Sequence, residues 1–465
     1  LQYGQSYLMA IGTKSKIHNL IEEPIQQALI RMTMPMIIGM VMLFTFSLVD
    51  TWFISFLGTE SLTAISFTFP VTFTVMSMAI GLGIGASAVV ASYLGASEPE
   101  KAKESATVIT YISFAMACLI VLLCWLFMDR IFMLMGASEQ LMIPIREYMH
   151  IWFPGSVLIV CIMTGNSILR AIGDTKTPSI LMASAGFINA VLDPILIFGI
   201  GPFPELGMQG AAWSTIIAWF IGFCYLIHLL IFKVKMVSKT FPSKSVFFSS
   251  GRKMLRIGIP AAGANMMTPL AAGIMTAIAA SFGDTTVAAF GVGARIEPIA
   301  TLLVLAMSSS LPPLISQNFG AQRLDRVEEA YRLSIKFILS WQLMVYFILF
   351  LSSEIIAGIF SDDPEVIKSI QLFIWVMPLG YGLQGIIILT NSSLNAMHKP
   401  LSALYLSIAR FFVFYVPLAY LGSVYFGLYG FFCGAVCGNL LMGIISYRTF
   451  NEAIASEMQL GESTA

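Results

Sequence analysis

Long apolar runs recur along this chain from about Leu29 to Leu440, separated by polar gaps too short to fold on their own. A hydrocarbon layer of ~30 Å takes ~20 helical residues to cross. On that measure twelve segments qualify, at approximately 29–55, 62–93, 104–127, 142–168, 178–200, 207–232, 256–282, 287–317, 333–353, 366–392, 401–422 and 426–447. Within lipid each backbone N–H and C=O must find a partner inside the protein, so only helices and closed barrels cross. A barrel would show alternating strands of ~10 residues, and these runs are continuous instead. With 57% hydrophobic and 11% charged residues, no ordinary soluble core could hide this much apolar surface. The expected fold class is an all-α membrane protein forming one integral unit. The opening residues lack an apolar core followed by small residues, so 1–28 read as a surface tail rather than a cleaved leader, and 450–465 as a second tail.

Loop charges give an orientation. Lys14, Lys16, Lys101, Lys103, Arg170, Lys176, Lys235, Lys239, Lys244, Arg252, Lys253, Arg323, Arg326, Lys399 and Arg448 all fall on the side of the N-terminus. The opposite loops hold Arg130, Arg146 and Lys368 among several acids. Positive loops stay on the cytoplasmic side, so both termini are expected there. The six cysteines lie in apolar stretches, where thiols act as small hydrophobes, and neither a disulfide nor a metal site is expected. The 28 methionines either fill core gaps or line a cavity that admits ligands of varied shape.

The second half of the chain repeats the first. An offset of 225 aligns Pro35 with Pro260, Gly58 with Gly283, Ala64 with Ala289 and Gly95 with Gly320. LRA at 169–171 then matches LNA at 394–396, and at an offset near 220 LGMQGAA at 206–212 faces FGLYGFF at 426–432. Each repeat carries six spans, so the copies share one orientation and form two six-helix lobes related by a pseudo-two-fold axis along the membrane normal. The lobes are expected at 29–232 and 256–449, with a basic linker at 233–255 that serves as a tether or as a surface-lying amphipathic segment.

A charged side chain near the bilayer centre costs ~3 kcal/mol or more, so intramembrane acids are functional candidates by default. Asp50 and Asp193 each lie about eight residues before the outer end of their span, and so at similar depth. Tyr148, Asn189 and Thr215 reach that level from spans 4, 5 and 6, with Asn189 one turn before Asp193 on the same face. Carboxylates, an amide oxygen, a hydroxyl and a phenol are hard oxygen donors able to share a proton or hold a small cation such as Na+. The alternative is that the two acids are structural hydrogen-bonding residues near helix ends. Opposite these positions the second repeat carries Met275, Leu372, Phe412, Val416 and Ala435, so only the N-terminal lobe keeps the set.

Glu297, a third intramembrane acid, follows Arg295 by two places, which puts them on different helix faces. Both are candidate contributors from the C-terminal lobe, or structural residues satisfied by other helices. Arg410 is expected to snorkel to the cytoplasmic end of span 11. Pro35 removes one backbone hydrogen bond inside span 1, making it either a hinge below Asp50 or a static kink.

Taken together, Pro35 and Asp50, the stretch VDTWFISFLG at 49–58, LRAIGDTKTP at 169–178, NAVLDP at 189–194 and GAAWST at 210–215 resemble the multidrug and toxic compound extrusion (MATE) family across all twelve spans, and within it the DinF-like branch. That resemblance implies a cation-coupled antiporter, with H+ preferred to Na+ as coupling ion and no other cofactor. It exports amphipathic organic compounds by alternating access. It also implies a monomer in a bacterial inner membrane, in contact with lipids and with no nucleic-acid partner. In similar proteins the span 1 aspartate is the coupling acid, working with residues that match Asn189, Asp193, Tyr148 and Thr215. The other main bacterial branch places acids on spans 7 and 10, and none occurs here between Ile257 and Phe282 or between Gln371 and Thr390.

A flippase for lipid-linked precursors, of related fold, is the alternative. An anionic pyrophosphate headgroup would require several basic groups facing a central cavity, and away from the span ends only Arg295 and Arg410 lie within spans. An ATP-driven pump or other enzyme is not expected, since no G-x-x-x-x-G-K-[ST] loop occurs.

Overall fold

The computed structural model describes residues 20–464 apart from positions 239 and 241. Lys14, Lys16 and Lys239, with most of the 1–28 tail, lie outside the described residues. The helices are α1 (Ile25–Ser55), α2 (Thr59–Gly95), α3 (Pro99–Leu126), α4 (Met128–Leu134), α5 (Glu139–Ala171), α6 (Lys176–Phe198), α7 (Met208–His228) and α8 (Lys244–Ala280). The second half continues as α9 (Asp284–Ala300), α10 (Leu302–Gly320), α11 (Leu324–Leu351), α12 (Ser353–Phe360), α13 (Pro364–Val376), α14 (Leu379–Ala396), α15 (Pro400–Ile408) and α16 (Val416–Thr464). Two π-helical turns, Leu229–Lys233 and Ala409–Tyr415, follow α7 and α15. Among the described residues nine helices are long and apolar enough to cross a membrane, and eleven when each of two bent pairs counts as one span. Gly427, at φ 61° and ψ −145°, reverses the chain inside α16 and divides Pro400–Leu460, counted once among the eleven, into two crossings, which brings the count to twelve.

The chain forms two compact units, one holding Arg31–Ala262 and the other holding Pro24–Ile30 with the chain from Gly263 onward. The repeat is written into their backbones. Left-handed φ values recur in pairs, at Gly58 and Gly283 (103° and 99°), Ser97 and Gln322 (60° and 58°), Gly173 and His398 (87° and 61°), and Gly207 and Gly427 (53° and 61°). The first three pairs keep the offset of 225 and the last keeps 220. Three of these eight residues carry a Cβ that the left-handed region penalises, so the turns are imposed by the flanking helices rather than by local preference.

Small residues let the helices meet. Along the last hairpin, a Cβ on Gly422 would run into the Gly430 carbonyl, and one on Gly438 would come within 2.7 Å of Tyr415 Cα. Without a hydrophobic force between helices in lipid, such close backbone contact is what holds them. Gly422→Ala is therefore expected to lower stability by about 1–3 kcal/mol. Gly291→Ala, whose Cβ would meet nothing within 4 Å, should be nearly silent. Thermal unfolding of the two purified variants gives the comparison. Exposed apolar residues also run in stripes, as with Ile30, Met34 and Ile38 on successive turns of α1, the pattern of a lipid-facing surface.

Three expectations need revision. Spans 8 and 10 are not single rods: α9 and α10 meet at 44°, and α13 and α14 at 48°. Pro298 and Pro378 each remove a helical donor beside these bends, although Pro70, Pro144 and Pro154 sit inside unbroken helices, so a proline permits a bend without dictating it. The later part of the linker is helical, since α8 starts at Lys244 and runs without a break into span 7. Ser250 bonds to Ser105 at 2.9 Å, the Ser238 N–H donates to Thr107 at 2.9 Å, and Lys253 donates to the Tyr93 hydroxyl at 2.7 Å, which strap this segment to the first unit. The 450–465 segment is likewise a continuation of α16. Phe450 is buried and stacks on Tyr331 at 3.6 Å, and Lys399 pairs with Glu457 at 2.9 Å.

Candidate functional site

α1 and α6 run side by side in the same direction. The Cβ that Gly39 lacks would lie 3.0 Å from Ser179 Cα, Phe46 covers Gly186 two turns further on, and Phe53 and Phe56 each meet Phe198 at 6.3 Å beyond that. This register sets Asp50 beside Asp193. α7 is drawn against α6 by Gly210, where a Cβ would fall 2.6 Å from the Leu196 carbonyl carbon. The turn between them passes through Gly199 and Gly207, both at positive φ.

The polar cluster follows from that packing. Asn189 Nδ2 donates to Asp193 Oδ1 at 3.1 Å, Ser214 Oγ at 3.2 Å and Thr215 Oγ1 at 3.3 Å. The Ser214 hydroxyl also donates to Asp193 Oδ1. Asp193 and Ser214 are fully buried, Tyr148 is 7% exposed, and Asp50 is half-buried. Tyr148 lies close enough to both carboxyl groups to feel their charge. Among the described residues no donor reaches Asp50 Oδ1 or Asp193 Oδ2, although both atoms are buried. The two carboxyl groups are instead within hydrogen-bonding reach of each other. Two carboxylates at that separation bond only when a proton is shared between them, and otherwise repel.

Five residues singled out in the sequence, Asp50, Tyr148, Asn189, Asp193 and Thr215, thus meet in the first unit. Ser214 was missed. Its signal was its place next to Thr215 in GAAWST, since adjacent helix residues point about 100° apart and only one can face Asp193 squarely. Pro35 sits inside α1. Glu297 and Arg295 belong to the other unit: Gln384 Nε2 donates to Glu297 at 2.9 Å, whereas Arg295 is exposed and makes no ion pair among the described residues. Arg410 does not snorkel. It is 7% exposed, its Nε donates to Asn439 at 3.2 Å, and its guanidinium stands 4.6 Å from the Phe411 ring, so its side chain is turned into the helix packing rather than out to a surface. The repeat positions opposite the acid cluster are filled by an apolar core, in which buried Met275 belongs with Phe373, Phe431, Phe432 and Ala435.

Twelve crossings in two repeated lobes, with the paired acids Asp50 and Asp193 in one of them, define a polytopic membrane transporter. The MatE family model matches the chain twice, over residues 35–195 and 260–421, at the repeat offset found in the sequence. The chain belongs to the MATE family. It is 40% identical to a protein of Shewanella oneidensis named FAD transporter, over 92% of this chain and 95% of that one. It is 26% identical to the multidrug export protein MepA of Staphylococcus haemolyticus, over 91% and 94% respectively. Among solved structures, the Vibrio cholerae MATE transporter VcmN in the bent form superposes with a TM-score of 0.89 at 32% identity, covering 93% of this chain and 98% of that one.

Proposed function

We propose that the chain is a cation-coupled antiporter in which Asp50 and Asp193, supported by Asn189, Tyr148, Ser214 and Thr215, exchange protons in preference to Na+ for small amphipathic organic compounds. The observation that carries this reading is the pair of buried carboxylate oxygens, Asp50 Oδ1 and Asp193 Oδ2, that no donor among the described residues satisfies. Removing water from a carboxyl group penalises its charged form, so such a pair is completed by a proton or a small cation. The same oxygens with Asn189 and Thr215 would ligate Na+, the less favoured ion here. The protein works as a monomer in a bacterial inner membrane with both termini cytoplasmic and lipid around its apolar faces, on the DinF-like plan that lacks acids on spans 7 and 10. Given the Shewanella relative's name, flavin nucleotides belong among the organic compounds to be tried. Everted vesicles driven separately by a pH gradient and by a Na+ gradient test the coupling. Uptake under the Na+ gradient alone would reverse the ion preference.

Asp193→Asn is expected to lower gradient-driven uptake by about tenfold or more, since the amide keeps an acceptor oxygen for Asn189 and Ser214 but can no longer take up or release a proton. Met275→Asp should not create a second working site, because the charge would enter an apolar core with no partner and destabilise the fold. Uptake and detergent-extracted yield of the two variants decide. Full activity of Asp193→Asn would remove Asp193 from the coupling site.

A further inference from the structure

In the second unit three breaks in helical regularity fall around one polar cluster. α9 gives way to α10 at Thr301, whose N–H and hydroxyl both donate to the Glu297 carbonyl, at 2.8 and 2.7 Å. α13 gives way to α14 at Pro378, three residues before Tyr381. The π-helical turn Ala409–Tyr415 carries Arg410 and Tyr415. At membrane depth, irregular backbone persists where protein buries it or where it lines a cavity, and π-bulges gather at functional sites. The matching helices of the first unit, α2, α5 and α6, are continuous.

The side chains at these breaks are polar and incompletely satisfied. Arg410 is 93% buried, yet among the described residues no carboxylate lies within ion-pair distance and only its Nε is hydrogen-bonded, to Asn439. Tyr381 is 2% exposed and its hydroxyl has no partner among the described residues. Glu297 is held by Gln384 and is near enough to act electrostatically on Arg410, Tyr381 and Tyr415 without bridging the guanidinium. The terminal N–H groups of Arg410 have no acceptor among the described residues, and the guanidinium fork suits a phosphate or carboxylate. The nearby acid would oppose such an anion and so favour its release.

We propose that this cluster receives the anionic group, phosphate or carboxylate, of an exported organic compound, with Arg410 and Tyr381 as donors, Asn439 positioning the guanidinium and Glu297 as the opposing charge. The proposal rests on the reading of the chain as an exporter of organic compounds. The test uses the full chain in phosphatidylcholine proteoliposomes, with riboflavin, flavin mononucleotide and tetraphenylphosphonium as neutral, phosphorylated and cationic probes. The wild type should favour flavin mononucleotide over riboflavin. Arg410→Gln should weaken that probe by about tenfold or more, as loss of charge-assisted bonds would. It should leave riboflavin and tetraphenylphosphonium little changed. Arg410→Lys should restore part of the loss, and Glu297→Gln should tighten flavin mononucleotide by removing the opposing charge. Equal losses for all three probes in monodisperse Arg410→Gln protein, or weaker flavin mononucleotide binding by Glu297→Gln, would overturn the assignment. So would a phosphate preference that appears only when phosphatidylglycerol is present, which would make the site a lipid headgroup site. Gradient-driven tetraphenylphosphonium transport with no preference that depends on Arg410 sinks this proposal alone, whereas a wild type that moves none of the probes sinks the export reading beneath it.

Discussion

Asp50→Asn is expected to reduce gradient-driven export to the level of empty vesicles while the protein still inserts and purifies at wild-type yield. The amide matches the carboxylate in volume and can still hydrogen-bond, so a residue needed only for structure would tolerate the change. A coupling residue would not. An antiporter works only if each ligand distinguishes the two conformations, and a ligand that binds both equally shifts neither. With asparagine at position 50 the proton has no acid on α1 to bind, and the interaction between the α1 and α6 carboxyl groups no longer depends on protonation. Substrate binding should survive, since the change removes no apolar surface. The measurement is uptake into everted vesicles under an imposed pH gradient, with membrane abundance determined in parallel. Near-normal uptake would show that Asp50 is structural, and coupling would then have to be sought elsewhere in the chain.

Much of this site was legible before any coordinates, because lipid makes buried charge expensive and so makes it conspicuous in a sequence. Counting at ~1.5 Å per residue was enough to set Asp50 and Asp193 at one depth. The repeat identified Met275 and Val416 as controls at the same depth. Depth along a helix does not fix rotation about it, and there the reading fell short. Thr215 joins the cluster through Asn189, but it is the neighbouring Ser214 that bonds Asp193, which depth alone does not reveal. Arg410 was assigned to a water interface because arginines reach far, but whether one does depends on what surrounds it, and Asn439 and Phe411 enclose this one. The left-handed turns at Ser97, Gln322 and His398 were invisible for a related reason: none is glycine, and each conformation is enforced by the helices on either side. Helix existence follows from composition, whereas bends such as those at Thr301 and Pro378 follow from packing that a single sequence does not display.

Pro35→Ala is expected to leave substrate binding intact and to slow export by roughly tenfold, with Pro260→Ala milder. Pro35 lacks the N–H that would bond the Arg31 carbonyl, so α1 has a weak point one turn above Arg31. Below it the helix is fixed, since Arg31 pairs with Glu23 at 2.6 Å and donates to the Gly173 carbonyl at 3.2 Å. Above it the contacts are of two kinds. Phe46 on Gly186 is an apolar contact able to slide, whereas Asp50 beside Asp193 is a polar contact that, on the proposed coupling, changes when a proton binds. A change in that proton alters the upper anchor while the lower one holds, and the intervening break is where α1 would bend. Alanine restores the missing donor, a change worth ~3 kcal/mol in a helix interior. At ~1.4 kcal/mol per tenfold, half of that shifts a two-state bend by roughly tenfold. The α8 helix around Pro260 makes the control: it carries Met275 where α1 carries Asp50, and it keeps a second proline, Pro269, after Pro260 is replaced. Substrate binding to each purified variant and export from cells expressing it separate the two effects. Equal defects at the two prolines would mean that they serve packing alone, and the link from proton to bend would have to be abandoned.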